Sequence, residues 1–152
     1  METRDILRTL REGRGLTQDA LAERVLVTRQ AVSRWETGET QPNTETLKLL
    51  SREFDVSINA LLGAPRQLFC QCCGMPLTED GTISREPDGA FNENYCKWCY
   101  ADGEFAYQSL DALLDYIAPH MARQLGAAPE ALRPQIEARL MELEYWKEKA
   151  DR

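Results

Sequence analysis

What this chain lacks narrows its function before any motif is read. No apolar run in its 152 residues approaches the roughly 18 needed to cross a bilayer. The opening stretch, METRDILRTLREGRGL, has no continuous apolar segment of the secretory kind. Together these lead to the expectation of a cytoplasmic protein with no membrane association. Histidine is nearly absent. The one example, His120, follows Pro119 in an otherwise apolar helical stretch and reads as a packing residue rather than a base. None of the GxSxG, HExxH, GxGxxG or phosphate-loop patterns occurs, so enzymatic activity is not expected. Positive charge is also short: 18 Lys and Arg face 25 Asp and Glu, a net charge of -7.

The deficit is uneven. Residues 1–62 carry nine basic and ten acidic side chains, a balance of -1, so residues 63–152 account for the remaining -6. An acidic second half weakens non-specific attraction to phosphate, but it lies outside the first half, where the informative pattern begins.

That first half reads as five short helices with tight connections. Ile6, Leu7 and Leu10 form an apolar stripe ended by Gly13 and Gly15. Thr17, Thr28 and Ser57 are placed to accept the free N–H groups of three following helices, and Pro42-Asn43 opens another. In QDALAERVLVTRQAVSRWE, Leu21, Val25, Val27, Val32 and Trp35 fall where two steeply crossed helices bury their faces. Ala22 is small where the two backbones must approach.

Between the buried positions of the second helix, residues 28–36, lie Arg29, Gln30, Ser33 and Arg34. Arginine matches the acceptor edge of guanine in a bidentate way, and glutamine that of adenine. Gln18 at the start of the preceding helix and Thr37 past the recognition helix are candidate phosphate contacts, and Thr28 at the cap joins the candidate DNA-binding residues. The alternative, a bundle whose polar stripe is merely solvated, leaves the coincidence of all these positions unexplained.

The second half is organised by cysteine. After Gly63-Ala64-Pro65 the composition changes, and five cysteines fall between Cys70 and Cys99. An odd number in a chain without a secretory leader argues against a disulfide framework. Cys70/Cys73 and Cys96/Cys99 are two C-x2-C pairs, each able to aim two sulfurs at one ion from a tight turn. Two such knuckles make a closed tetrahedral site of the kind structural Zn2+ prefers, with no open position for catalytic water. Cys72 is extra to this set: an inert neighbour, an alternate ligand or a redox handle. Ser109 then caps a helical run, and residues 130–149 carry Leu132, Ile136, Leu140 and Leu143 at helical spacing.

The stretches LREGRGLTQDALAERV and VTRQAVSRWETGETQPNTETLKLLSREFDVSINALLG resemble the Cro/C1-type (Xre-like) helix-turn-helix family over roughly residues 3–62. The resemblance implies a mainly α, five-helix lambda-repressor-like DNA-binding domain. It also implies a homodimer reading a palindromic operator in double-stranded DNA. Leu26 departs from the pattern, since that turn position is commonly glycine. FCQCCGMPL, YCKWCYADGEF and a helical tail ending near YWK resemble a zinc-ribbon domain family over roughly residues 68–147. The expected organisation is a DNA-binding domain at 1–63, a linker at 64–67, and a zinc ribbon with C-terminal helices at 68–149. The reading is a transcriptional regulator whose ribbon serves partner binding, dimerisation or sensing. An antitoxin-like or adaptor protein, and a zinc or thiol redox sensor controlling DNA binding, stand as alternatives.

Overall fold

The computed structural model describes residues 1–150, which separate into two compact units. One comprises Met1–Gln67 with Asp88–Phe91. The other comprises Leu68–Pro87 with the residues from Asn92 onward.

The first unit is built from α1 (Thr3–Gly13), α2 (Gln18–Arg24), α3 (Arg29–Thr37), α4 (Thr44–Phe54) and α5 (Ile58–Leu61). Four of the five begin on a side-chain cap: Thr17, Thr28, Asn43 and Ser57 each accept an N–H three residues on. Each such bond satisfies a donor that the helix cannot, worth about 1 kcal/mol. These contacts need only the local sequence. Leu7, Leu21, Val25, Val32, Leu50, Phe54 and Leu61 fill the core almost without exposure, with Trp35 and Ala22 beside them. Val27 is only partly buried and packs against that cluster.

The second unit begins with short antiparallel ribbons. β1 (Leu68–Phe69) pairs with β2 (Pro76–Leu77) in the register Leu68 to Leu77 and Phe69 to Pro76. A 3-10 turn at Asp80–Thr82 leads to β3 (Ile83–Arg85), which pairs with β4 (Phe91–Cys96). β5 (Tyr100–Ala101) and β6 (Glu104–Phe105) form the last ribbon. Three helices follow: α6 (Leu110–Leu125), α7 (Pro129–Leu140) and α8 (Glu144–Ala150).

Ser109 caps α6, and Pro129 starts α7, where a missing N–H costs nothing. α6 and α7 pack against one another through Leu113, Leu114, Ala118, Ala122, Ile136 and Leu140. Arg133 of α7 also reaches Asp115 at 2.8 Å and Asp111 at 3.3 Å on α6. Those acids are exposed, so the pairs add at most about 1 kcal/mol.

The helical spacing over residues 130–149 describes one run, but the chain breaks it between Leu140 and Glu144. The physical reason lies in the first N–H groups of α8. That of Glu144 donates to the Gln71 side-chain oxygen, and that of Tyr145 to the Gln71 carbonyl, both at 3.3 Å. A distant residue caps this helix, which no local pattern encodes.

Candidate nucleic-acid interface and metal centre

The expected recognition helix is α3, and its polar face is on the surface. Thr28 lies just outside it, its hydroxyl accepting the Ala31 N–H at 3.1 Å. Arg29, Gln30 and Arg34 are exposed, and Ser33 is half-buried between them. Among the described residues, Arg29 and Gln30 have no hydrogen-bond or ionic partner; Arg34 has only a loose pairing with Glu39, at 3.8 Å. Thr37 is exposed and donates its hydroxyl proton to the Arg34 carbonyl, a bond the hydroxyl must rotate out of to donate to a phosphate oxygen. The helix ends at Gly38, whose φ of +82° turns the chain left-handed as glycine allows.

What holds this face rigid is an ion pair beneath it. Glu36, with a side chain only 5% exposed, receives Arg11 of α1 through Nε and a terminal nitrogen at 2.8 to 3.1 Å. The other terminal nitrogen of Arg11 donates to the Leu16 carbonyl at 2.8 Å. Gln18 is half-buried, and its amide donates to the second Glu36 oxygen at 3.1 Å. The expected phosphate-contact residue is therefore also a brace for α3.

Sequence reasoning missed the Arg11–Glu36 pair. The two residues are 25 positions apart, with no periodicity to link them, and a close match of opposite charges on α1 and α3 is visible only once the helices are packed.

The turn between α2 and α3 contains the departure from pattern. Leu26 has φ +60° and is 82% exposed, while the Val27 N–H closes the turn onto the Ala22 carbonyl at 2.9 Å. A leucine in the left-handed region costs about 1 kcal/mol relative to glycine, and the exposed side chain recovers nothing by burial.

In the second unit the ribbons converge four cysteines. The first knuckle is closed by the Cys70 N–H on the Met75 carbonyl at 2.9 Å and the Gly74 N–H on the Cys70 carbonyl at 2.8 Å. Gly74 has φ +80°, the conformation that turn requires. The second knuckle ends β4, with the Cys99 N–H on the Cys96 carbonyl at 3.2 Å. The Gln71 N–H donates to the Asn94 carbonyl at 2.7 Å, tying the two knuckles together.

The sulfurs of Cys70, Cys73, Cys96 and Cys99 all lie within 4.8 Å of one another, and Cys73 and Cys96 are 3.9 Å apart. A tetrahedral ion with sulfur bonds of about 2.3 Å spaces its ligands about 3.8 Å apart, so the donor set fits one. The spacing is far too long for a disulfide, and all five cysteines are free thiols.

The backbone contributes too: the N–H groups of Cys72 and Cys73 point at the Cys70 sulfur at 3.4 and 3.5 Å. Among the bare thiols, the Cys73 side chain, donating to the Cys70 sulfur, holds Cys70 well below the usual thiol range. The same contact, with burial, pushes Cys73 up, and Cys99 rises through its crowding by Cys70 and the other sulfurs. A cation bound at these sulfurs would displace their protons.

Cys72 stands outside the four. It is fully buried, and its carbonyl accepts the Trp146 indole N–H at 2.7 Å. The tail helix is fixed on the knuckle by this bond and by an aromatic cluster. Tyr145 stacks on Phe105 at 4.2 Å and donates its hydroxyl to the Tyr107 carbonyl, and Tyr95 meets the Phe105 ring edge-on at 4.9 Å. His120 is exposed on α6, 3.3 Å from the Gln124 amide, outside the cysteine cluster.

Comparison with known proteins finds both halves. Residues 69–147 match a family described as "Putative zinc ribbon domain", and residues 7–61 match the family described as "Helix-turn-helix". The HTH-type transcriptional activator BcrR of Enterococcus faecalis is 48% identical over 62 residues. The match covers 41% of this chain and 30% of that protein, so the chain aligns with less than a third of its relative.

Among solved structures, the P22 c2 repressor in complex with a synthetic operator is 35% identical. That match covers 41% of this chain and 94% of the other, with a TM-score of 0.40. The solution structure of the P22 c2 DNA-binding domain is likewise 35% identical, covering 41% and 82%, with a TM-score of 0.39.

Proposed function

Because the chain belongs to the zinc-ribbon family matched by residues 69–147 and carries ahead of it a Cro/C1-type helix-turn-helix, we propose that it is a sequence-specific transcriptional regulator. In this reading residues 1–63 form the DNA-binding domain, 64–67 the linker and 68–149 the ribbon domain with its helices. α3 enters the major groove. Arg29, Gln30, Ser33 and Arg34 read base edges, while Gln18, Thr28 and Thr37 position the helix against phosphates.

The observation that carries the reading is the partner-free side chains of Arg29 and Gln30 on a helix braced from below by Arg11 and Glu36. Polar groups carried on a braced helix and left without protein partners are what base readout needs. One such helix covers a half-site, so the working form is a homodimer on a palindromic operator. The relative named a transcriptional activator, 48% identical over 62 residues, supports the regulatory class.

The ion proposed for the cysteine cluster is Zn2+. Four sulfurs at tetrahedral spacing favour it, and it would cross-link the two knuckles rather than catalyse a reaction. Cys70, Cys73, Cys96 and Cys99 would hold it.

Selection of bound sites from a random DNA pool, followed by affinity measurement on the selected operator, tests the proposal. Arg29→Ala and Arg34→Ala should each lose about 1–3 kcal/mol on that operator. Unchanged affinity in both variants would remove α3 as the reading helix.

A further inference from the structure

The second unit contains a cleft of about 840 Å³, within the range of small-molecule sites. Its floor is the cysteine cluster, with Cys73, Cys96 and Cys99 reaching it. α6 and α7 supply an apolar wall of Leu113, Ile117, Met121, Ile136 and Leu140. Phe69, Trp98 and Tyr116 stand at the cleft with 47%, 56% and 62% of their surface exposed.

The described residues leave the cleft open. α8 carries the aromatic residues that could fill it, yet Trp146 is committed to the Cys72 carbonyl and Tyr145 to Phe105 and Tyr107. A second copy is a poor occupant. A two-fold contact sets the same patch against itself, and the exposed aromatic side chains here line a concavity rather than a projecting knob.

The polar groups at the cleft indicate the ligand's chemistry. On the α6 side, His120 and Gln124, 3.3 Å apart, offer hydrogen bonds; Gln71 is already occupied by Phe69 and Glu144. On the α7 side, Arg139 lines the cleft, and its guanidinium makes no hydrogen bond or ion pair with the described residues. A free guanidinium beside apolar walls complements one acidic group on an apolar body. Glu142, which also lines the cleft three residues further on, disfavours a second acid on the ligand.

We propose that this cleft binds a small amphipathic monocarboxylate, its apolar body between α6 and α7 and its carboxylate on Arg139. A ligand there would touch both the helix hairpin and the sulfur knuckles. The proposal goes beyond the regulator reading without resting on it, because the site lies wholly within the second unit and needs no DNA.

The test titrates the full-length, zinc-loaded chain with 1-anilinonaphthalene-8-sulfonate, an aromatic body with one anionic group. Bound probe is then competed with decanoate and with decanol. Saturable binding of one probe per chain is expected, with decanoate displacing it about tenfold better than decanol. Arg139→Gln should erase that preference while leaving decanol nearly unchanged, and Met121→Trp, which fills the cleft, should abolish probe binding. Arg139→Gln alters an exposed side chain, so it reports even if the filled variant fails to fold.

The idea is overturned by an absence of saturable binding, by equal displacement by acid and alcohol, or by an Arg139→Gln chain that keeps the preference. A probe that binds only on dilution to monomer would show a second copy covering the cleft, and would also overturn it. Operator selection is a separate measurement, so failure of either reading leaves the other interpretable.

Discussion

The two units of this chain solve the problem of a small core in opposite ways. The first buries leucine, valine, phenylalanine and tryptophan beneath five short helices, four of them started by side-chain caps. Its central polar contact, Arg11 with Glu36, is set into that apolar core. The second draws four of its most buried side chains from cysteine and ties its last helix down through Gln71, Cys72 and Tyr107. One unit is stabilised by area removed from water. In the other, ribbons two or three residues long on at least one strand supply little ladder, and the ion proposed for its sulfurs would join them. The acidic surplus sits in the second unit, so the unit that would meet phosphate is nearly neutral.

On the Zn2+ assignment proposed above, the contrast is broken most forcefully by removing the metal. Chelation of the zinc-loaded full chain, or Cys96→Ser, should unfold the ribbon, since structural zinc contributes on the order of 10 kcal/mol to such sites. Amide NMR signals of Leu68–Phe105 should collapse while those of α1 to α5 persist. Loss of both sets together would show that the units do not stabilise separately.

The reciprocal experiment is Glu36→Ala. It takes from Arg11, only 12% exposed, its close carboxylate, leaving the Leu16 carbonyl at 2.8 Å and Glu12 at 3.7 Å, and should cost about 3 kcal/mol in the first unit while leaving metal content unchanged. Urea melts followed by α3 signals would measure it, and a loss below about 1 kcal/mol would mean the pair is effectively solvated.

Trp146→Phe is a subtler cut in the second unit. The ring volume is largely kept, but the Cys72 carbonyl loses its donor, so about 1–3 kcal/mol should disappear from the metal-bound form. Equal stability of variant and parent would show that water replaces the indole N–H. The smallest effect expected is a gain: Leu26→Gly should stabilise the first unit by roughly 1 kcal/mol by relieving the left-handed turn. A loss instead would mean that the exposed leucine makes contacts that the isolated chain does not reveal.

Much of the architecture was legible in the residues because its causes are local. Thr17, Thr28, Asn43, Ser57 and Ser109 each satisfy an N–H three positions on, a bond that exists as soon as a helix starts. The C-x2-C spacing likewise brings two sulfurs together within one turn. The core positions Leu21, Val25, Val32 and Trp35 follow from the 3.6-residue period that any amphipathic helix must obey.

The sequence by itself therefore determined the order of helices, the two knuckles and the face of α3 that stays polar. Only the tertiary structure decided that Gln18 braces Glu36, that Arg11 reaches across 25 positions, and that Gln71 breaks the final helical run by capping α8. It alone brings residues from Phe69 to Leu143 around one cleft. Local contacts cost little chain entropy and recur wherever their short motif occurs. Contacts between distant residues form only after loop closure, and their partners are fixed by packing that no short stretch of sequence contains.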